Sequence, residues 1–328
     1  MSLANILRRR GAARIPLIDA VRGIAIVAMF AFHLTWDLSF FGYIDPRIVF
    51  NPAFRVFAET IGSTFLSLAG LSLVLAHVPR FRARAYLSHL AIIIAAAGAV
   101  SVATYIFVPE GFIFFGILHC IALASLIALP FLFLPWWIVG IAALLVIAAP
   151  RLFVSPSFDA PIWWWTGLST FEPRTNDYWP ILPWAGVLLL GLAAMKLGDR
   201  FASRERLARW QPRNLFSRGI VFGGRHSLAV YLVHQPIFFG LVWLSATIVP
   251  PHGASAEAHY MSSCRAQCED VGQKQTICSA VCTCIADELR EQDLWMRTIA
   301  NRLQSEERQR LAQIARSCLR KKRRLEEE

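Results

Sequence analysis

Seven apolar segments of the sequence are long enough, or nearly long enough, to cross a lipid bilayer. Inside a bilayer the backbone has no water to bond with, so a single segment of this length folds as an α-helix. Hydrophobic residues make up 56% of the chain and come in blocks rather than at the spacing of one helix face. The sequence therefore predicts an all-α fold, a polytopic membrane helix bundle of about seven transmembrane helices. The predicted segments are 16–37, 54–76, 87–108, 112–133, 135–149, 180–197 and 227–249.

The lysines and arginines between these segments predict the orientation, because such residues are enriched in cytoplasmic loops. With the N-terminus inside, fifteen of them lie in inner segments and four in outer loops. Residues 1–15 are then a basic cytoplasmic N-terminus and 16–250 the membrane domain. Because the number of helices is odd, 251–328 is expected to be an extracytoplasmic tail. We expect a multi-pass protein of the inner, cytoplasmic membrane. The net charge is +11, but the basic residues lie beside membrane segments, so no nucleic-acid partner is predicted.

The first apolar segment contains four ionisable residues, and each is costly in lipid unless it is paired or functional. Arg22 and His33 are eleven positions apart, which places them on one helix face within roughly 20° and about 16 Å apart along the axis. Asp19 lies one turn before Arg22, near the inner surface. We expect these two residues to form a cofactor-binding pair in which Arg22 binds the phosphate groups of a cytoplasmic ligand, with help from the basic segment 196–225. The alternative is an ion pair that only anchors the helix.

Histidine next to a carboxylate suits proton transfer or transient acyl carriage. Asp37 follows His33 by one helical turn, and a carboxylate there would fix the imidazole tautomer and raise its basicity. Glu59, in the second segment, is expected at about the depth of His33. His234 lies toward the middle of the last segment. The predicted catalytic residues are His33, Asp37, Glu59 and His234; the alternative for His33 is a hydrogen bond within the bundle, and that for His234 is packing.

Four further polar residues are predicted to bind substrate. Tyr231 lies three residues before His234 on the same helix face, and Gln235 follows directly. His119, in the fourth segment, is expected about 10 Å from its outer end, with packing and function as equal alternatives. Asp177 opens the sixth segment among aromatic residues, which fit either an interfacial anchor or the wall of a site.

Six of the seven cysteines lie after residue 260. Two C-x3-C pairs place thiols one helical turn apart, so we expect two antiparallel helices to be stapled by Cys264, Cys268, Cys278 and Cys282. Cys284 and Cys318 then remain for a third bridge. An even number of cysteines outside a membrane favours disulfides and hence a small helical, cysteine-rich C-terminal extension. A thiolate metal site and reduced cysteines in a cytoplasmic tail are the alternatives, and the pairing stays open.

Several motifs resemble those of a known family. The stretch IDAVRGIAIVAMFAFHLTWD resembles the first helix of the heparan-alpha-glucosaminide N-acetyltransferase-like membrane proteins. Its Arg-x10-His spacing is similar to that of the wider group of membrane acyltransferases that O-acylate polysaccharides. Further similar stretches are FAETIGSTFLSLAGLSL, FFGILHCIAL, YWPILPWAGVLLLG and GRHSLAVYLVHQPI. The resemblance covers most of residues 14–245 in family order.

The resemblance implies transfer of an acyl group, usually acetyl, from cytoplasmic acyl-CoA to a sugar hydroxyl or amine outside. It implies that Arg22 lies on the CoA side and His33 near the acyl transfer. The expected partners are the lipid bilayer, acetyl-CoA as the acyl-donor substrate, and a glycan or amino-sugar acceptor; no metal is predicted. The tail after Pro250 is outside the family pattern. We expect the tail to bind an envelope partner or to mediate oligomerisation.

Two other classes of function compete with this interpretation. A transporter would use the same buried histidine, aspartate and arginine residues as a relay, but the sequence has no recognisable inverted repeats. An envelope scaffold would use the bundle as an anchor for its cysteine-rich outer domain. The buried ionisable residues are too numerous for a passive anchor, so the acyltransferase interpretation is preferred.

Overall fold

A computed structural model describes residues 15–201, 203–249, 256–299 and 303–327; the predicted basic N-terminus at 1–14 lies outside the described residues. The described residues form α-helices and short 3₁₀ turns, with no strand among them. The predicted all-α fold is therefore confirmed. In chain order the helices are α1 (Pro16–Phe40), α2 (Pro52–His77), α3 (Ala83–Phe107), α4 (Ile117–Ile127), α5 (Trp136–Phe153), α6 (Ile181–Asp199), α7 (Ser203–Arg209), α8 (Leu215–Arg225), α9 (Ser227–Ile248), α10 (Ala256–Asp270), α11 (Gln275–Glu291), α12 (Trp295–Ile299) and α13 (Ser305–Glu327).

Six of these helices are long and apolar enough to cross a membrane: α1, α2, α3, α5, α6 and α9. Their surfaces expose large apolar side chains such as Phe107, Leu145 and Trp243. Exposed apolar surface of this extent fits contact with lipid rather than water. The protein is therefore a multi-pass membrane protein.

The fourth predicted segment, 112–133, differs from the prediction of a spanning helix. It contains α4, a helix of 11 residues, which is about 16 Å long and shorter than the hydrocarbon core of a bilayer. A 3₁₀ turn beginning at Pro130 follows it, because proline there has no N–H to donate to the preceding turn. The described part of the chain thus contains six helices of spanning length and one short apolar helix.

The described residues fall into two compact units, drawn from Met1–Met29 with Glu59–Val233 and from Phe30–Ala58 with His234–Glu328. In the first unit, α2 and α6 cross at glycines. A Cβ atom built on Gly70 would lie 1.9 Å from the backbone oxygen of Leu188. Only glycine permits this approach, and small residues commonly form such seams between helices in lipid.

The second unit includes a helical tail, α10–α13, that contains three disulfides. Two of them join α10 to α11 and the third joins α11 to α13. They pair Cys264 with Cys282, Cys268 with Cys278 and Cys284 with Cys318. Leu289 is fully buried in the small core of the tail. The predicted helical extension stapled by these six cysteines is confirmed.

Within this second unit, the tail lies against the loop that joins α1 to α2. Helix α10 packs on the 3₁₀ turn Pro46–Ile48. Asp270, at the end of α10, has its Oδ1 atom 3.9 Å from Nη2 of Arg55. The hydroxyl of Tyr43 donates a hydrogen bond of 2.8 Å to the carbonyl of Val249. The end of α1, this loop and the tail are therefore neighbours.

Candidate functional site

Two histidines of the second unit face each other. The ring centroids of His33, on α1, and His234, on α9, are 4.8 Å apart, with the ring planes at 61°. Only 5% of His234 is exposed, and His33 is half-buried. Both were predicted as catalytic candidates from separate segments, and the structure brings them together. Two imidazoles that meet inside apolar helices indicate a functional site.

Aromatic side chains form apolar walls around this pair. The ring of Phe30 stacks on His234 with centroids 5.6 Å apart, and Phe238 meets His234 edge-on at 6.0 Å. Phe32 meets His33 edge-on at 5.2 Å. These rings limit the access of water to the imidazoles.

A carboxylate and an amide lie beside the histidines. Nε2 of Gln235 donates a hydrogen bond of 2.9 Å to Oδ1 of Asp37, which is completely buried. Asp37 Oδ2 and Gln235 Oε1 have no hydrogen-bond partner among the described residues. No hydrogen bond joins Asp37 to His33 in the described part of the chain, so the structure pairs Asp37 with Gln235. We call His33, His234, Asp37 and Gln235 the histidine cluster.

A second polar group, in the first unit, is built on ion pairs. Asp19 accepts a hydrogen bond from Nη1 of Arg22 at 3.3 Å and another from Nε of Arg225 at 3.3 Å. Nη2 of Arg22 also donates to the hydroxyl of Ser72, at 2.6 Å. We call Asp19, Arg22, Ser72 and Arg225 the arginine cluster. The predicted pair of Asp19 and Arg22 is therefore part of a larger set.

Glycines explain how Arg225 reaches Asp19. A Cβ atom on Gly224 would lie 1.8 Å from the backbone oxygen of Asp19, and one on Gly23 would lie 2.0 Å from that of Ile220. Helices α1 and α8 therefore touch backbone to backbone, which larger residues would prevent. This contact places the end of α8 directly beside the first turns of α1.

Asp177 and Tyr231 meet in the first unit. Oδ2 of Asp177 accepts a hydrogen bond of 3.0 Å from the N–H of Ile117, the first residue of α4. Its carboxylate is also hydrogen-bonded by the side chains of Trp179 and Tyr231. Burial raises the pKa of Asp177 from its ordinary 3.8 to about 6, and these hydrogen bonds partly oppose the rise. Asp177 thus caps a helix end and holds Tyr231, which places both predicted residues in one polar group.

His119 has partners for both ring nitrogens. Its Nδ1 accepts from the N–H of Gly116 at 3.2 Å, and its Nε2 lies 3.2 Å from the hydroxyl of Ser101. That hydroxyl donates to the carbonyl of Ile113, so Nε2 carries the proton of His119 and donates it. These bonds fix the tautomer and the orientation of the ring. Glu59 lies exposed on α2, and its predicted role as a second carboxylate remains a prediction.

Sequence reasoning missed Ser72 and the aromatic walls. Phe30 lies three residues before His33, and Phe238 lies four after His234. Helical spacing of three and four places them on the faces of the histidines, so this signal was available. Nothing in the sequence indicates that Ser72 meets Arg22, because that contact depends on how two helices pack.

The fold and these sites define a class: a multi-pass helical membrane protein with polar groups among its spans. The sequence model of one family matches residues 14–236, and its description is heparan-alpha-glucosaminide N-acetyltransferase, catalytic. The chain belongs to this family of membrane acetyltransferases, as its motifs predicted. The match contains every predicted site residue outside the cysteine-rich tail. Comparisons with curated proteins and with solved structures give no match.

Proposed function

We propose that the protein transfers an acetyl group from cytoplasmic acetyl-CoA to a sugar or amino-sugar acceptor on the extracytoplasmic side of the inner membrane. The observation that supports this most is the histidine pair, His33 and His234, with centroids 4.8 Å apart between apolar walls. Imidazole is both a nucleophile and a general base near neutral pH. Membership of an acetyltransferase family supports the same reaction class.

His33 acts first in this proposal, as an acyl carrier. A ring nitrogen of His33 attacks the thioester carbonyl, so that a C–N bond forms as the C–S bond breaks. CoA leaves as a thiolate and takes up the imidazole proton. The acceptor then attacks the acetyl-imidazole, and its proton passes through His234 back to His33. In the alternative form His33 is a general base: it takes the acceptor's proton while the acceptor attacks the thioester directly.

Other residues are proposed to bind the two substrates. Arg22, held by Asp19 at 3.3 Å, binds donor phosphate through its guanidinium. Gln235, Tyr231, Asp177 and His119 remain the proposed acceptor-binding residues, and Glu59 remains a proposed catalytic carboxylate. Asp37 is proposed to act through Gln235, because its hydrogen bond goes to that amide.

The proposed sides of the membrane are supported by the charges and by the tail. Residues 1–15 contain four arginines, which favours a cytoplasmic N-terminus for the membrane domain 16–250. The tail, 251–328, packs through α10 on the loop after α1, at the opposite end of that helix. Its disulfides fit an oxidising compartment. Labelling by a membrane-impermeant thiol reagent, after reduction of intact cells, tests the tail; labelling only in broken cells would contradict this placement.

The reaction is tested with His33→Ala in the purified protein, supplied with radiolabelled acetyl-CoA and amino sugars. We expect loss of acetyl transfer by about 10² to 10⁴, the usual contribution of an acid–base residue, or more if His33 carries the acetyl group. His226→Ala is the matched control, because His226 is exposed near the start of α9. Near-normal transfer by His33→Ala would contradict the assignment, and solute uptake without acyl turnover would favour the transporter.

A further inference from the structure

We propose that Arg225 is a second phosphate-binding residue for the acyl donor, beside Arg22. The proposal rests on the proposed function only for the identity of the donor. The proposed oxyanion site consists of two guanidinium groups held around one buried carboxylate. A guanidinium group can bind phosphate through two parallel, charge-assisted hydrogen bonds.

The position of Arg225 is fixed by the backbone. It is the last residue of α8, directly after Gly224, whose missing Cβ lets α8 touch the backbone of Asp19. Its Nε then donates to Oδ2 of Asp19 at 3.3 Å, while Arg22 uses Oδ1 of the same carboxylate. Asp19 is 6% exposed and lies between the two arginines. The carboxylate therefore holds two cations close together that would otherwise repel.

The remaining donors of Arg225 are suited to a ligand. Among the described residues only Nε of Arg225 is hydrogen-bonded, to Asp19, and both Nη groups lack a partner. The side chain of Arg225 is 42% exposed, against 23% for Arg22, so an oxyanion can reach it. Arg22 differs because it already donates to Asp19 and Ser72. Arg225 is thus the more accessible of the two arginines in the arginine cluster.

An ion pair that only ties α8 to α1 is the rival explanation. The two explanations make different predictions for ligand binding. A phosphate-binding arginine affects the affinity only for ligands that contain phosphate. The full-length protein is therefore tested for binding of CoA, of dephospho-CoA, which lacks the 3′-phosphate, and of pantetheine, which lacks every phosphate. Calorimetry measures each dissociation constant for wild type, Arg225→Ala, Arg225→Lys and Arg218→Ala. Acetyl transfer by the wild type is measured in parallel.

We expect Arg225→Ala to weaken CoA binding by roughly tenfold to a hundredfold, the effect of losing hydrogen bonds to a charged group, and to leave pantetheine binding unchanged. Arg225→Lys should retain part of the affinity, because lysine keeps the charge without the planar fork. Arg218, exposed on the same helix, controls for general attraction by basic residues. If dephospho-CoA shows the same loss as CoA, the pyrophosphate is the group bound; if it shows none, the 3′-phosphate is bound.

An equal loss for CoA and pantetheine would overturn the proposal in favour of the structural ion pair. Unchanged CoA binding by Arg225→Ala, or an equal loss in Arg218→Ala, would also overturn it. These results are separate from failure of the proposed function. Tight CoA binding by the wild type without acetyl transfer would refute the reaction and leave the phosphate site standing.

Discussion

The histidine cluster and the arginine cluster both place polar side chains against membrane helices, yet they stabilise them differently. In the histidine cluster, imidazoles lie between aromatic rings, and Asp37 has an amide as its hydrogen-bond partner. In the arginine cluster, the Asp19 carboxylate lies between two guanidinium groups. One cluster contains no cation that is permanent at neutral pH, whereas the other contains two.

This difference suits the histidine cluster to catalysis and the arginine cluster to ligand binding. Imidazole changes protonation and nucleophilicity within the range of ordinary pH, which a guanidinium does not. Guanidinium groups instead bind oxyanions without giving up a proton. Changes in the histidine cluster should therefore alter the turnover number, and changes in the arginine cluster should alter donor affinity.

His234→Ala gives the largest expected effect after that of His33. If His33 carries the acetyl group and His234 passes the proton, kcat should fall by about 10² to 10⁴ while CoA affinity stays near that of the wild type. Radiolabelled acetyl groups should still appear on the protein when no acceptor is present. His226→Ala is again the control for loss of a histidine. An unchanged kcat in His234→Ala would contradict the proposed difference between the two clusters. A change in the KM for acetyl-CoA alone would also contradict it.

The pairing of Asp37 with Gln235 provides a smaller but more specific test. Gln235→Glu replaces the N–H donor with an oxygen, 2.9 Å from a buried carboxylate oxygen in the present geometry. We expect kcat to fall by roughly tenfold to a hundredfold, because buried polar atoms are left unpaired. Asp37→Asn with Gln235→Glu restores one donor and one acceptor, so it should recover most of the activity.

This double variant also identifies what Asp37 does. If its carboxylate served His33 directly, moving the charge to position 235 would not restore transfer. In that case Asp37→Asn alone would also lower kcat as much as Gln235→Glu alone does. Recovery in the double variant, with thermal unfolding temperatures measured alongside, supports a positioning role for the pair.

Spanning helices were predictable from composition because a bilayer admits few other structures. Residues 16–37 and 227–249 were predicted to be helices, and the helices observed are Pro16–Phe40 and Ser227–Ile248. The exception is α4. Its first N–H is capped by Asp177, sixty positions away in the sequence, and such a distant cap has no local signal.

The candidate site was predictable residue by residue but not as a set of contacts. Ionisable residues within apolar segments identified His33, His234 and Asp37, because lipid makes such residues exceptional. Their partners depend on helix rotation and packing. Spacing alone favoured His33 as the partner of Asp37, yet the hydrogen bond goes to Gln235. In the tail, the C-x3-C spacing predicted a stapled hairpin, and the nested pairs Cys264–Cys282 and Cys268–Cys278 are the antiparallel solution.

Asp177 extends the comparison to a carboxylate outside the membrane-spanning helices, and it gives the smallest expected effect. Like Asp37, it has neutral hydrogen-bond partners, and burial raises its pKa from 3.8 to about 6. Between these values the folded state binds more protons than the unfolded state, so stability falls as pH rises from about 4 to 6. Asp177→Asn removes this pH-dependent contribution to the free energy of unfolding, which is at most about 3 kcal/mol.

The measurement is the unfolding temperature of wild type, Asp177→Asn and Asp159→Asn in detergent at a series of pH values from about 3 to about 7. The variant should lose stability less steeply with rising pH. Asp159 provides a control of opposite sign, because hydrogen bonds from the N–H and hydroxyl of Thr170 lower its pKa. Its contribution is present at neutral pH and lost as pH falls, so Asp159→Asn should flatten the acid side instead. Parallel curves for wild type and Asp177→Asn would mean that Asp177 ionises as it does in the unfolded chain, despite its neutral partners.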